Sequence, residues 1–217
     1  ECADVFKDKW GPTDQSDPSL KLRKHQEQAI SFAKERQSYV VTTGTGSGKS
    51  LCFFIPIIDA AIRAKKAGGG AKTRAIVIYP MNALANSQAK ELEGYLGSAT
   101  SGLVTYARYT GQESAEDREL IKANPPDILL TNFMMLELLM TRQSDLDRKV
   151  LQNCEGLQFI VLDELHTYRG RQGADVAMLM RRLRSRIGDP QNPPLCIGTS
   201  ATMASEGAQH EKNEAVA

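Results

Sequence analysis

Residues 43–50 read Thr-Gly-Thr-Gly-Ser-Gly-Lys-Ser. Glycines at alternate positions let successive backbone amides turn toward one point. A lysine then adds a mobile cation, and a serine adds a hydroxyl that can ligate a metal. The stretch follows a β-branched run at 38–43 and precedes an apolar, helix-like run from Leu51. In that setting a loop of this kind holds phosphates at a helix N-terminus. Lys49 is placed to reach the outer phosphates of a nucleoside triphosphate, and Ser50 to ligate Mg²⁺. Thr43 stands where the general pattern G-x-x-x-x-G-K-[ST] has its first glycine. The candidate phosphate-binding set is thus Thr43, Gly44, Thr45, Gly46, Ser47, Gly48, Lys49 and Ser50. A glycine-rich turn that binds nothing is the plain alternative.

Three further clusters could act with this loop. The apolar run ending in Asp163-Glu164-Leu165-His166 puts two carboxylates at the end of a predicted strand. Asp163 suits a Mg²⁺ ligand, and Glu164 a group that polarises an attacking water. A solvated acidic turn would look the same in isolation. Upstream, Gln26 can both donate to and accept from an adenine edge, and Arg23 can stack its guanidinium on the same base. Downstream, Ser200, Ala201 and Thr202 close the last predicted strand, with small hydroxyls able to reach the Asp163–His166 turn. His166 has no second His or Cys at metal-ligand spacing, so it reads as a coupling residue beside that strand rather than a metal ligand.

These clusters need a scaffold, and the chain supplies one. Strand-like runs at 38–43, 74–80, 103–110, 127–132, 157–164 and 195–202 alternate with helical patterns. Several runs are apolar on both faces, as in buried parallel strands. Ala85, Ala89, Leu92 and Leu96 form one apolar helical stripe, and Val176, Met180, Leu183 and Ile187 another. Ser114 with Asp117 has capping-box spacing. The alternation predicts an α/β fold, a mostly parallel sheet with helices on both faces. In "RRLRSR" at 181–186, Leu183 lies on the apolar stripe, so the arginines read as a solvated outer face. Composition is that of an ordinary globular chain, 41% hydrophobic and 24% charged, with a net charge of +1 that gives no case for nucleic-acid binding by itself. Cys2, Cys52, Cys154 and Cys196 are scattered without a CxxC pair, which suits a reducing compartment and argues against a zinc ribbon. No apolar run reaches membrane-span length. The expected division is an irregular lead-in at 1–19, one domain at 20–203 and a polar tail at 204–217, with both ends suggesting a piece of something longer.

In order and spacing the motifs resemble those of superfamily 2 helicases of the DEAD/DEAH-box kind. The matching stretches are "RKHQ", "TGTGSGKS", "YPMNALANSQ", "YTGQ", "LLTNFMML", "DELH" and "TSAT". "DELHTYRGRQGADVAMLMRRLRSRIG" is most similar to the large Lhr-like and YprA-like DNA helicases. The resemblance implies a RecA-like P-loop NTPase lobe that uses ATP and Mg²⁺, with Lys49, Asp163, Glu164 and His166 in the catalytic roles and Ser50 and Asp163 at the metal. It implies nucleic-acid contacts at Pro80, Asn82, Ala83, Thr110, Gly111, Thr131 and Asn132. Backbone amides, small hydroxyls and helix N-termini do bind phosphates without reading sequence, though Asn82 and Asn132 are also good N-caps. DNA is favoured over RNA, with a role in DNA repair, processing or phage defence. The location implied is cytoplasmic, nucleoid-associated in a bacterium or nuclear in a eukaryote. A second RecA-like lobe supplies an arginine finger in such enzymes, worth about 10³–10⁵-fold in related phosphoryl transfer. Nothing after "TSAT" can supply one, so this chain is expected to bind ATP–Mg²⁺ weakly and hydrolyse it hardly at all. A nucleotide-dependent binding module and a duplex translocase that separates no strands are the competing readings.

Overall fold

A computed structural model describes residues 22–96, 102–142 and 144–201. The expected lead-in, the tail and Thr202 lie outside the described residues. Six strands form one sheet: β1 (Tyr39–Thr42), β2 (Ala75–Tyr79), β3 (Tyr106–Tyr109), β4 (Ile128–Asn132), β5 (Phe159–Leu162) and β6 (Leu195–Ser200). Their order across the sheet is β1-β6-β5-β2-β4-β3, and every pairing is parallel. Parallel strands need crossover connections, and helices provide them. These are α1 (Lys24–Lys34), ahead of β1, then α2 (Lys49–Lys66), α3 (Asn82–Tyr95), α4 (Ala115–Ala123), α5 (Phe133–Thr141), α6 (Asp145–Gln152) and α7 (Gly170–Ile187).

Strand parity sorts the side chains into two cores. Val41, Val77, Leu130, Val161 and Ile197 face α1, α2 and α3. Ile76, Ile78, Leu129 and Ile160 face the layer of α5, α6 and α7, which includes the buried Leu136, Leu151, Leu179 and Leu183. The central strands β2 and β4 are buried along their whole length, which explains their unbroken apolar runs. The two apolar stripes expected in α3 and α7 are both buried. The arginines of 181–186 are exposed around buried Leu183, with Arg182 2.8 Å from Glu137 and Arg186 donating to the Met140 carbonyl. The capping box opens α4, with the Ser114 hydroxyl accepting from the Asp117 amide. That helix stops at Ala123, just ahead of Asn124-Pro125-Pro126.

Two local devices stabilise the frame. Pro56 lies inside α2 and has no N–H, which deprives the Cys52 carbonyl of its helical donor. The buried Tyr39 hydroxyl donates to that carbonyl at 2.7 Å and locks β1 to α2. At the N-terminal edge of the sheet, Asp127 is 1% exposed. It accepts from Arg74 Nη1 at 2.7 Å and lies 2.6 Å from Lys65 Nζ. It also accepts from the amide and hydroxyl of Thr105, at 2.9 and 3.0 Å. The starts of β2, β3 and β4 and the end of α2 are thereby tied together. Because every strand points the same way, all six C-terminal ends emerge on the opposite edge, where ligands bind in open α/β sheets.

Candidate functional site

The loop between β1 and α2 occupies that C-terminal edge. Gly46 and Gly48 have φ of 73° and 78°, a conformation that disfavours any side chain. Gly48 is also crowded, since a Cβ there would lie 2.7 Å from the Gln26 amide nitrogen. No side chain caps the N-terminus of α2. Its leading amides are thus left to the loop and to whatever enters it. Lys49 is 9% exposed and donates to the Thr43 carbonyl at 2.8 Å, with Gly44 O at 3.4 Å. Thr43 and Ser47 bridge through their hydroxyls at 2.7 Å. The ammonium therefore sits inside its own loop, bound to carbonyls that are weaker partners than phosphate oxygens.

Gln26 is turned toward the loop. It is 4% exposed and both ends of its amide are spent within the chain. Nε2 donates to Gly48 O at 3.0 Å, and Oε1 accepts from the Arg23 amide at 2.9 Å. Gln26 thus clamps the loop to the start of α1. His25 assists, with Nε2 3.2 Å from Ser47 O. The Arg23 side chain is exposed, while Thr45 and Ser50 belong to the loop and the first turn of α2.

Asp163 and Glu164 follow β5 directly. Asp163 continues the face that carries Val161, toward α2. Glu164 is left-handed, with φ 53° and ψ 52°, a conformation that costs a non-glycine residue about 1–3 kcal/mol and clusters at functional sites. Burial pushes the Asp163 carboxyl above its usual range, and the adjacent Glu164 charge adds to that. The Thr199 hydroxyl, the Glu164 amide and Lys49 pull against it. Thr199, fully buried, holds this turn: its hydroxyl donates to Asp163 Oδ1 and accepts from the Glu164 amide at 3.2 Å. Sequence reasoning passed over Thr199 in favour of its neighbours. The signal existed in the register, since Leu162 pairs with Gly198 and the next pair along is Asp163 with Thr199. Ser200 does reach the turn, as expected, with Oγ 3.4 Å from His166 Nδ1. That same nitrogen lies 3.2 Å from Glu164 Oε2, out of hydrogen-bond alignment. Ala201 follows β6 directly and is the last described residue.

The other expected contact residues line the same edge beyond β2, β3 and β4. Pro80, Asn82, Thr110, Gly111 and Asn132 border one groove of about 350 Å³. Ala83 is exposed in the first turn of α3. Thr131 is fully buried and its hydroxyl donates to Tyr109 O at 2.7 Å, a contact that positions the strand. Asn132 is spent on structure too. Its Oδ1 accepts from the Met135 amide at 2.7 Å to cap α5, and its Nδ2 donates to Asn82 Oδ1 and to Thr110 O. The amides of Thr110 and Gly111 donate to Glu113 Oε2 at 2.8 and 2.9 Å, and the Thr110 hydroxyl to Oε1 at 2.7 Å. Burial raises the Glu113 pKa, but these donors outweigh it and hold the carboxyl below its usual range.

Comparison with known proteins finds related helicases. The uncharacterized ATP-dependent helicase YprA of Bacillus subtilis is 32% identical over 183 residues, covering 84% of this chain and 23% of YprA. Among solved structures, the DUF1998 helicase MrfA bound to DNA and AMPPNP superposes with a TM-score of 0.71 at 30% identity, covering 90% of this chain and 26% of MrfA. The Mycobacterium smegmatis helicase Lhr bound to ssDNA and AMP-PNP gives 0.70 at 27% identity, covering 87% of this chain and 23% of Lhr. The chain thus spans about a quarter of the length of these relatives. No helix among the described residues is long and apolar enough to cross a membrane. The DEAD/DEAH box helicase pattern matches residues 23–210, from the α1 turn that clamps the loop past the strand that carries Thr199, and the chain belongs to that family.

Proposed function

We propose that this chain is the ATP-binding lobe of an ATP-dependent DNA helicase or translocase. The observation that carries the reading is the Asp163–Thr199–Glu164 cluster held on the face that leads to α2, at the same sheet edge as the Lys49 loop. The residues fit ATP and Mg²⁺: an uncapped α2 N-terminus and Lys49 meet the phosphates, Ser50 and Asp163 suit the ion, and Glu164 Oε2 is buried without a hydrogen-bond partner. When bound, ATP supplies the labile phosphoryl bond and Mg²⁺ offsets the charge on its oxygens.

The chain's own part follows from its geometry. Lys49, now on the Thr43 carbonyl, would give that bond up to phosphate oxygens. Thr199 keeps Asp163 and Glu164 in fixed relation, so that Glu164 can take a proton from water. His166, between Glu164 and Ser200, links that carboxylate to the end of β6. DNA is the favoured track, because MrfA and Lhr are similar in fold and sequence and were solved with DNA. A second RecA-like lobe would complete the site. A reducing compartment, the cytoplasm or nucleus, suits the free Cys52, Cys154 and Cys196.

Strand displacement and DNA-stimulated ATP hydrolysis by a protein carrying both lobes test this. Both activities are expected to fall at least about 10²-fold in Lys49→Ala and Glu164→Gln. Unwinding that survives Lys49→Ala would refute the reading. Alone, the 217-residue chain is expected to hydrolyse ATP hardly at all.

A further inference from the structure

We propose that Tyr79 is a positioning residue for the metal ion, its hydroxyl being the donor that fixes Asp163 as the ion binds. The proposal rests on the reading of Asp163 as a Mg²⁺ ligand. β2 lies beside β5, and Ile78 pairs with Leu162. The Asp163 amide donates to the Ile78 carbonyl at 3.0 Å, which carries the pairing one step past β5. The next pair is therefore Tyr79 with Asp163, just as the next pair on the other side of β5 is Asp163 with Thr199. Two residues earlier the same row reads Val77, Val161 and Ile197, all in one core with Tyr79. Strand parity thus stands Tyr79, Asp163 and Thr199 side by side on one face, on strands about 5 Å apart.

The two hydroxyls that flank Asp163 are used differently. Thr199 donates to Asp163 Oδ1. Tyr79 is fully buried, and its hydroxyl has no hydrogen-bond partner. Buried hydroxyls are rarely left so, because their lost hydration is then uncompensated. Other buried tyrosines show the ordinary arrangement: Tyr39 donates to Cys52 O at 2.7 Å and Tyr109 to Asp147 Oδ1 at 2.8 Å. Burial raises the Tyr79 phenol pKa, and the charges of Asp163 and then Glu91 raise it further, so both carboxylates lie within electrostatic reach. Glu91 already accepts from the Tyr95 hydroxyl. Tyr168 has an unpartnered buried hydroxyl too, but it packs in the opposite core. A carboxylate that ligates a metal is held by hydrogen bonds of its own, and losing one typically weakens metal binding by about 10–100-fold. Thr199 supplies one such bond. Tyr79 supplies the second, directly or across one water.

Metal titrations of the 217-residue chain test the idea. Mn²⁺ stands in for Mg²⁺, and its binding is read by electron paramagnetic resonance with saturating AMPPNP present. Tyr79→Phe is expected to weaken Mn²⁺ binding by at least about tenfold. Its affinity for AMPPNP in EDTA should stay within about twofold of the parent, because the phenol holds the carboxylate and not the phosphates. In urea denaturation without metal, Tyr79→Phe should be at least as stable as the parent, since it removes an unsatisfied group. Tyr109→Phe is the control. It removes a hydroxyl already satisfied by Asp147, so it should lose stability and leave Mn²⁺ affinity unchanged. Mn²⁺ affinity in Tyr79→Phe within about twofold of the parent overturns the proposal. A stability loss in Tyr79→Phe equal to that in Tyr109→Phe also overturns it, since the hydroxyl would then have a structural partner. If Asp163→Asn leaves Mn²⁺ affinity intact, the reading of Asp163 as the ligand fails, and the proposal with it. A chain that binds no AMPPNP would sink the ATP site itself.

Discussion

Asp127 and Asp163 are carboxylates withdrawn from solvent at opposite ends of one sheet, and the chain treats them differently. Asp127 meets Arg74, Lys65 and both polar groups of Thr105. Asp163 has one side-chain donor, Thr199, and a second carboxylate as its neighbour. The first is neutralised and joins strand starts to a helix end. The second is left short of positive charge, and burial disfavours its ionised form. Under the proposed role of Asp163 as a cation ligand, such a carboxylate is left unsatisfied, and the cost of leaving it so is borne by packing elsewhere.

Substitutions at the two ends should separate these roles. The largest effect belongs to Asp127→Ala, which strands the Arg74 guanidinium, 6% exposed, without its partner. A loss of about 3–5 kcal/mol is expected in urea denaturation. A variant as stable as the parent would end the comparison. Thr199→Val comes next, because it orphans the Glu164 amide and strips Asp163 of its donor. It should lose about 1–3 kcal/mol in the same measurement, and activity with it. Glu113→Gln should lose about 1 kcal/mol near neutral pH. The folded pKa of Glu113 is depressed, so its contribution is present above the unfolded pKa and disappears as pH falls through the folded one. Melting temperatures of Glu113→Gln and its parent should therefore converge on acidification, and a gap that widens instead would contradict the assignment. The smallest effect carries the opposite sign. Asp163→Asn, measured without Mg²⁺, should gain about 0.5 kcal/mol while abolishing turnover. Destabilisation there would place Asp163 in the same class as Asp127.

The two ends also differ in how much of them can be read from sequence. The C-terminal edge is written in local patterns: Gly44 to Ser50 in one run, Asp163-Glu164 after an apolar strand, Ser114 three residues before Asp117. Local pattern dictates local structure, so the strands and caps emerged where periodicity placed them. The partnership of Lys65, Arg74 and Asp127 spans three elements and leaves no local trace. Thr199 was missed for the same reason, since its role depends on β6 lying beside β5. Thr131 and Gln26 were legible as residues able to bond, but what they bond to is decided by burial, which turned both inward.

The alternation that places Val161, Asp163, Ile197 and Thr199 on one face has a consequence for how this lobe can change over time. Each strand keeps a reading frame with a period of two residues. One residue inserted between Phe159 and Asp163 would leave every codon downstream intact and still turn the carboxylate to the wrong side of the sheet. Length changes are therefore admissible in surface connections such as that between α2 and β2, and excluded from the few residues that lead each strand to its C-terminal edge.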